Sequence, residues 1–259
     1  MQDDPEDDEM AGRLRRVEKA TLQQRVCDEL KRALMSGRFV PGEVITLRRV
    51  ADEMGTSAMP VREAMMRLIA ERALEMLPNR TVRVRLMSVD QLRDLWSVRV
   101  FLEGEAAARA AQNAKPAEIA RLTQLNKEIT RIFDEGDMMG MVKLNQQFHF
   151  MLYGLSRSDH LMAIIEGLWL QTGPYLMASV GRASTKAHAE NAETRQNLIV
   201  HHGDVLRALS ERDGELARRA IAEDIGNAAT LVIAEAEALE MTKDAGEDGG
   251  QLRPTGSLG

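Results

Sequence analysis

The sequence has little of what oxidised, thiolate-bound or membrane-spanning proteins need. A single cysteine, Cys27, excludes an intramolecular disulfide and any site built from several thiolates, so a metal could be held only by nitrogen and oxygen donors. Cys27 itself reads as a small apolar residue on the first helix, where unpaired cysteine is commonly buried. No stretch of about 18 or more apolar residues occurs, which excludes a membrane-spanning helix. The N-terminus, MQDDPEDDEM, is acidic where a secretory or transit peptide is basic and apolar. These absences assign the chain to the cytoplasm, with no membrane partner.

What is present is enough for two domains. With 259 residues and 44% hydrophobic content, the chain can supply a buried core for each. The formal net charge of -6 speaks at first against a nucleic-acid partner. That total conceals an asymmetry. Residues 1–12 carry six acidic and no basic side chains, residues 13–85 carry 16 basic against 9 acidic, and residues 86–259 carry 18 against 25. A basic block of about 70 residues between acidic flanks is the electrostatic footprint of a DNA-binding module joined to a domain of another kind.

Residues 1–20 have little apolar periodicity and read as a mobile arm. Residues 242–259, with GEDGG and RPTGSLG, read as a disordered tail. From Thr21, the apolar positions Leu22, Val26, Leu30, Ala33 and Leu34 recur at helical spacing, with Gly37 as a stop and Pro41-Gly42 as a turn. A short helix, TLRRVADEM, starts at a Thr46 cap and ends at Gly55. Another starts at Ser57 and carries Pro60 in its first turn, where proline is tolerated. Two short helices joined by a glycine-containing turn are the helix-turn-helix pattern. ALEML and TVRVRL then flank Pro78-Asn79-Arg80 and predict a two-stranded wing.

Beyond Ser88 every long segment has helical periodicity. Ser88 and Gln91 form a capping box for a helix to Asn113. Further helices are expected over Pro116–Glu135, Asp137–Leu155, His160–Val180 with a kink at Pro174, Ala187–Glu211, and Asp213 to about Glu240. The fold class is therefore mostly α. An N-terminal winged helix-turn-helix (21–86) precedes a C-terminal all-helical bundle of six or seven helices (87–241).

In a helix-turn-helix the second helix enters the major groove, its N-terminal residues facing base edges while neighbouring groups hold phosphates. Those residues here are Ser57, Ala58, Met59 and Arg62, and of them Arg62 alone can make a bidentate contact to guanine. Arg48 and Arg49, opening the preceding helix, and Arg80, at the wing tip, are placed for phosphates or the minor groove. The alternative for these arginines is surface pairing with Asp52, Glu53 and Glu63. The run PGEVITLRRVADEMGTSAMPVREAMMRLIAERAL resembles the winged helix-turn-helix of the GntR family of bacterial regulators, over residues 21 to 85. The resemblance implies that Arg48, Ser57 and Arg62 occupy DNA-contacting positions. The sequence departs from the family pattern at Ala58, where arginine is common, and at Ala73 and Thr81, where glycine is usual. Glycine allows positive φ and a near backbone at such positions.

In the bundle, polar residues lie within apolar helical stripes, where each must find a partner. Arg99 shares the face of Leu92, Leu95, Trp96 and Leu102. Asn145 and His149, four apart, lie with Met141, Val142 and Leu152. His202 lies with Leu198, Val205, Leu206 and Leu209, and Asp224 with Ala217, Ala220, Ile221 and Ala228. Imidazole, amide oxygen and carboxylate are donors a divalent metal accepts when no thiolate is available. Separate satisfied core contacts are the alternative. Residues 88–240 resemble the effector domain of the FadR branch of the GntR family, the FCD type. That resemblance implies a metal held by Asn145, His149, His202 and Asp224, with Asp224 standing where a histidine is usual. Zinc, nickel and manganese all suit such donors, and His201 ranks below His202.

Arg99 beside such a site could bind a small carboxylate effector bidentately; an internal pair with Glu103, one turn on, is its alternative. The methionines Met138, Met139 and Met141 read as packing. The function expected is a regulator that binds double-stranded DNA as a homodimer on an inverted repeat and responds to a small metabolite. A metal-dependent hydrolase or lyase with an accessory DNA-binding domain is the competing reading, with Glu103 and Asp224 as the inward acids. A non-specific architectural DNA protein is the third, and it has no need of buried polar groups.

Overall fold

The computed structural model describes residues 22–183 and 201–248. The expected arm at 1–20 and the first part of the helix expected over Ala187–Glu211 lie outside them. Helix α1 (Leu22–Met35) buries Val26, Cys27, Leu30, Ala33 and Leu34, the stripe its spacing dictates. It stops where Gly37, at φ +66°, returns its N–H to the Leu34 carbonyl. A two-residue strand β1 (Val44–Ile45) follows, then α2 (Leu47–Glu53), whose Thr46 cap accepts from the Arg49 N–H. Helix α3 (Ala58–Ala70) buries Val61, Ala64, Met65 and Leu68. Strands β2 (Leu74–Met76) and β3 (Val82–Val84) pair antiparallel, with Leu74 opposite Val84. Strand β1 joins the far side of β3, so the sheet has three strands in the order β1-β3-β2 and not the two expected. Two residues are too short to show the alternation by which strands are recognised.

The bundle opens with α4 (Val89–Asn113), on the Ser88–Gln91 capping box. Then come α5 (Pro116–Asp134), α6 (Met138–Gly154), α7 (Asp159–Ala183), α8 (His201–Glu211) and α9 (Gly214–Asp248). Among the described residues these make six bundle helices. Small residues Ala106, Ala107, Ala110 and Ala111 of α4, and Ala217 and Ala220 of α9, are fully buried in the core these two long helices help to build. Helix α9 runs to Asp248, past the end expected near Glu240 and into the tail expected over 242–259. Its last stretch, AEALEMTKDAGED, is rich in helix formers, which carry the helix through the start of the segment read as tail.

The two domains share packing. Leu170 of α7, 1% exposed, belongs to the core of the winged module. A Cβ on Gly173 would fall 2.7 Å from the Met35 Cα, so α7 meets the end of α1 backbone to backbone. The Tyr175 hydroxyl accepts from the Met87 N–H at 2.7 Å and donates to the Arg85 carbonyl at 3.1 Å, tying α7 to the segment between the domains. Pro174 lies inside α7 without ending it.

Candidate nucleic-acid interface and metal centre

The expected DNA-reading residues are all in solvent or partly so. Ser57 is the N-cap of α3 but makes no side-chain cap bond, so its hydroxyl stays available. Met59 is 63% exposed, and Ala58 and Arg62 are exposed beside it. Arg62 has no ion pair among the described residues. Arg49 bonds Glu53 at 2.9 Å and nears Glu43 at 3.8 Å, and Arg48 stands 3.9 Å from Asp52 with its side chain 94% exposed. Exposed pairs of this kind are worth at most about 1 kcal/mol and yield readily to phosphate.

The two glycine departures are resolved one residue away. Positive φ is carried by Arg72 (+61°) and Arg80 (+62°), the neighbours of Ala73 and Thr81. Arg72 ends α3 with its N–H on the Ile69 carbonyl. At the wing tip the Asn79 side chain accepts from the Thr81 N–H at 3.0 Å, and the Arg80 N–H reaches the Leu77 carbonyl at 2.8 Å. The turn therefore closes without glycine and points Arg80 outward.

In the bundle, His149 of α6, His202 of α8 and Asp224 of α9 converge, with one donor atom from each within 4.8 Å of the others. His149 Nε2 lies 3.2 Å from Asp224 Oδ2, and His202 Nε2 lies 3.9 Å from Asp224 Oδ1. On their far sides His149 Nδ1 meets the Tyr153 hydroxyl at 2.8 Å and His202 Nδ1 meets Asn126 Oδ1 at 3.0 Å. Since Asn126 offers its oxygen, His202 carries its proton on Nδ1 and turns a bare Nε2 toward Asp224. Burial, opposed by the Asp224 charge and aided by His149 and His201, lowers the His202 pKa to about 4, so the ring is neutral at pH 7. Burial pushes the Asp224 carboxyl up, but its hydrogen bond to His149 and the charges of the histidines outweigh that and leave it below its ordinary value. His202 Nε2 and Asn145 Oδ1 are buried with no hydrogen-bond partner. An orphaned His202 nitrogen 3.9 Å from a carboxylate fits a cation, so His149, His202 and Asp224 suit a divalent metal, while Asn145, one turn before His149 on α6, is not among the three donors that converge. His201 turns away, toward Asn227 at 2.9 Å and Glu223 at 3.3 Å.

Arg99, 2% exposed, holds the internal partner. Its Nε and one terminal nitrogen bond the two Glu103 oxygens at 2.6 and 3.3 Å, and the other nitrogen donates to Thr172 at 3.2 Å. Its guanidinium carbon sits 4.3 and 4.6 Å from the rings of Trp96 and Trp169, the chain's two tryptophans. Glu103 also accepts from Trp169 Nε1 at 3.0 Å, and burial, followed by the Glu103 charge, raises the pKa of the Tyr153 hydroxyl. An effector carboxylate on Arg99 must therefore share the guanidinium with Glu103. Sequence reasoning missed Asn126, Tyr153, Trp169 and Thr172. Tyr153 alone left a signal, four residues beyond His149 as Asn145 is four before.

A family model described as bacterial regulatory proteins, gntR family, matches residues 22–84, and one for the FCD domain matches 94–227. The HTH-type transcriptional regulator McbR of Escherichia coli (strain K12) is 30% identical over 215 residues, 82% of this chain and 91% of that protein. The solved structure of E. coli McbR/YncC superposes with a TM-score of 0.74 at 29% identity, covering 84% of this chain and 99% of that one. A putative GntR regulator from Rhodococcus sp. RHA1 shares the fold, with a TM-score of 0.63 at 20% identity over 82% of this chain and 97% of that one. These relatives set aside the hydrolase or lyase reading, and Glu103, held by the Arg99 guanidinium and Trp169, is committed to a buried pair. With both family models matched in order along it, the chain belongs to the GntR family of bacterial regulators, an FCD-type, DNA-binding transcriptional regulator and not an enzyme.

Proposed function

We propose that this regulator works in the cytoplasm as a homodimer on an inverted-repeat operator, controlled by a small carboxylate metabolite that binds beside a divalent metal in the bundle. Residues 21–86 read DNA and 87–241 receive the effector. The observation that carries the reading is the convergence of His149, His202 and Asp224; Asn145, whose oxygen is buried without a partner, lies one turn before His149 on the same helix. These four residues would hold the metal, zinc, nickel or manganese, which supplies a Lewis-acidic position for an effector oxygen. Arg48, Arg49, Ser57, Met59, Arg62 and Arg80 form the DNA-contacting set, with Arg62 reading bases and the others positioning. Val98 and Phe101, 39% and 71% exposed and three apart on α4, offer an apolar contact for a second copy.

Elemental analysis tests the metal. Protein purified without chelator should contain close to one equivalent per chain, removable by chelator, and His149→Ala and His202→Ala should each lose it. Because Trp169 lies 5.6 Å from His149, the fluorescence of the two tryptophans should change as metal is added back. Carboxylates are then screened on metal-loaded protein by the same signal and by operator release or capture. Absence of metal in protein grown with metal supplied, together with His149→Ala as stable as the parent, defeats the metal-centred reading.

A further inference from the structure

The link between the winged module and the bundle is short. Arg85 still belongs to the winged module, its N–H 3.3 Å from the Ala73 carbonyl, and Ser88 already caps α4, which leaves Leu86 and Met87 between them. The N–H of each is held by a side chain from a different module. Glu75 of β2 accepts from Leu86 at 3.1 Å, while Arg83 Nε at 2.7 Å keeps the same carboxylate on the wing. The buried Tyr175 of α7 accepts from Met87 at 2.7 Å and donates to the Arg85 carbonyl at 3.1 Å, so one hydroxyl of the bundle holds the link on either side of Leu86. Leu170 and Gly173 press the same helix on the winged module by van der Waals contact. Such contact sets a separation but is non-directional, whereas a hydrogen bond weakens steeply as its angle closes.

We infer that Tyr175 is a positioning residue that holds each winged module at one angle to its bundle and so sets the half-site spacing that the paired chains accept. The inference rests on the reading of a dimer on an inverted repeat. With the bundles paired, the two α3 helices stand a fixed distance and turn apart only if each module is fixed on its own bundle. One base pair added between half-sites moves the second by about 3.4 Å and turns it by about 35° around the DNA axis. A module held by the Tyr175 bonds follows that turn only by breaking them, and a module on a free link follows it at little cost. Loss of the hydroxyl leaves the Met87 N–H and the Arg85 carbonyl without these partners, and water satisfies them best in an opened link.

The test uses the full-length protein and duplex DNA selected by the parent from a random pool. The spacer between the selected half-sites is lengthened or shortened by one and two base pairs, and each duplex is titrated at one salt concentration. A single mismatched base pair costs about fivefold or more, so one added base pair should weaken the parent about tenfold or more and Tyr175→Phe about threefold or less. The Met87 amide should exchange with solvent faster in Tyr175→Phe than in the parent. A merely structural weakening lowers affinity by the same factor at every spacing, and that result overturns the inference, as does an unchanged spacing profile in a folded Tyr175→Phe. A parent that is dimeric by light scattering yet ignores spacing removes the inference alone. Monomeric mass with one-to-one binding to a half-site removes the dimer reading and the inference with it. If Tyr175→Phe fails to fold, two glycines inserted between Leu86 and Met87 of the parent lengthen the link, and a strict spacing profile in that chain overturns the inference.

Discussion

His202 makes a strong prediction about acid stability. The ring is fully buried, stacked on Phe148 at 4.0 Å between centroids, and titrates at about 4 in the folded chain against 6.5 when exposed. The folded pKa is depressed, so the native state binds fewer protons than the unfolded state between these values, and stability falls as pH falls. Above pH 6.5 the group has no effect. Integrating between the two pKa values, the cost is about 2 kcal/mol at pH 5 and about 3 kcal/mol near pH 4. His202→Asn, whose side-chain amide can still donate to Asn126, removes the titration while keeping that bond. In urea unfolding at matched protein concentration with chelator present, the parent should lose about 2 kcal/mol more than the variant between pH 7 and pH 5. Equal losses would refute the placement of a neutral, desolvated imidazole at this position. With metal loaded the parent's dependence should steepen, since protons compete for the same nitrogen.

On DNA, Arg62→Ala should remove about 1–3 kcal/mol of preference for the operator over random sequence, whereas Arg48→Ala should weaken both and lower the salt slope by about one. Equal loss on both DNAs for Arg62→Ala in a titration removes its base-reading role. Gly173→Ala sets two effects against each other, a helix-propensity gain of up to about 1 kcal/mol and a clash costing about 1–3 kcal/mol. The clash wins because the neighbours are the backbone atoms of Leu34 and Met35, which cannot step aside as a side-chain end can; a lowered thermal midpoint checks this, and a raised one contradicts it. Phe101→Glu should shift the mass seen by light scattering from two chains to one and weaken operator binding, and an unchanged dimer moves the interface elsewhere.

Local features were legible in the sequence and tertiary partners were not. Helix stripes, the Thr46 cap and the Ser88–Gln91 box depend on residues a few positions apart, and all appear in the structure. The inward set Asn145, His149, His202 and Asp224 was legible because each interrupts an apolar stripe, which marks burial whatever the fold. What each imidazole meets on its other nitrogen was open, since Asn126 is 76 residues from His202 and lies on a different helix. Leu170 shows the same limit. Periodicity declares it buried but does not declare in which core, and the structure puts it in the winged module. For Arg99 a spacing of four allowed both an effector role and a pair with Glu103, and only the packing of Trp96 and Trp169 around the guanidinium shows the pair in place.

The distribution of satisfied and unsatisfied groups in the proposed site also favours binding over turnover. A hydrolase needs a carboxylate with a free lone pair near the metal to take a proton from water. Glu103 receives Arg99 twice and Trp169, and Asp224 is directed at two imidazoles. The acceptors left over, His202 Nε2 and Asn145 Oδ1, would serve the proposed site as ligands. Such a site can store a difference in affinity but cannot run a proton cycle. Helix α7 makes that difference useful to a regulator, because Trp169 on the wall of the site and Leu170 in the core of the DNA-reading module are adjacent residues of one helix. Any ligand that binds more tightly to one placement of α7 than to another must shift the module by the same free energy, and no separate moving part is required.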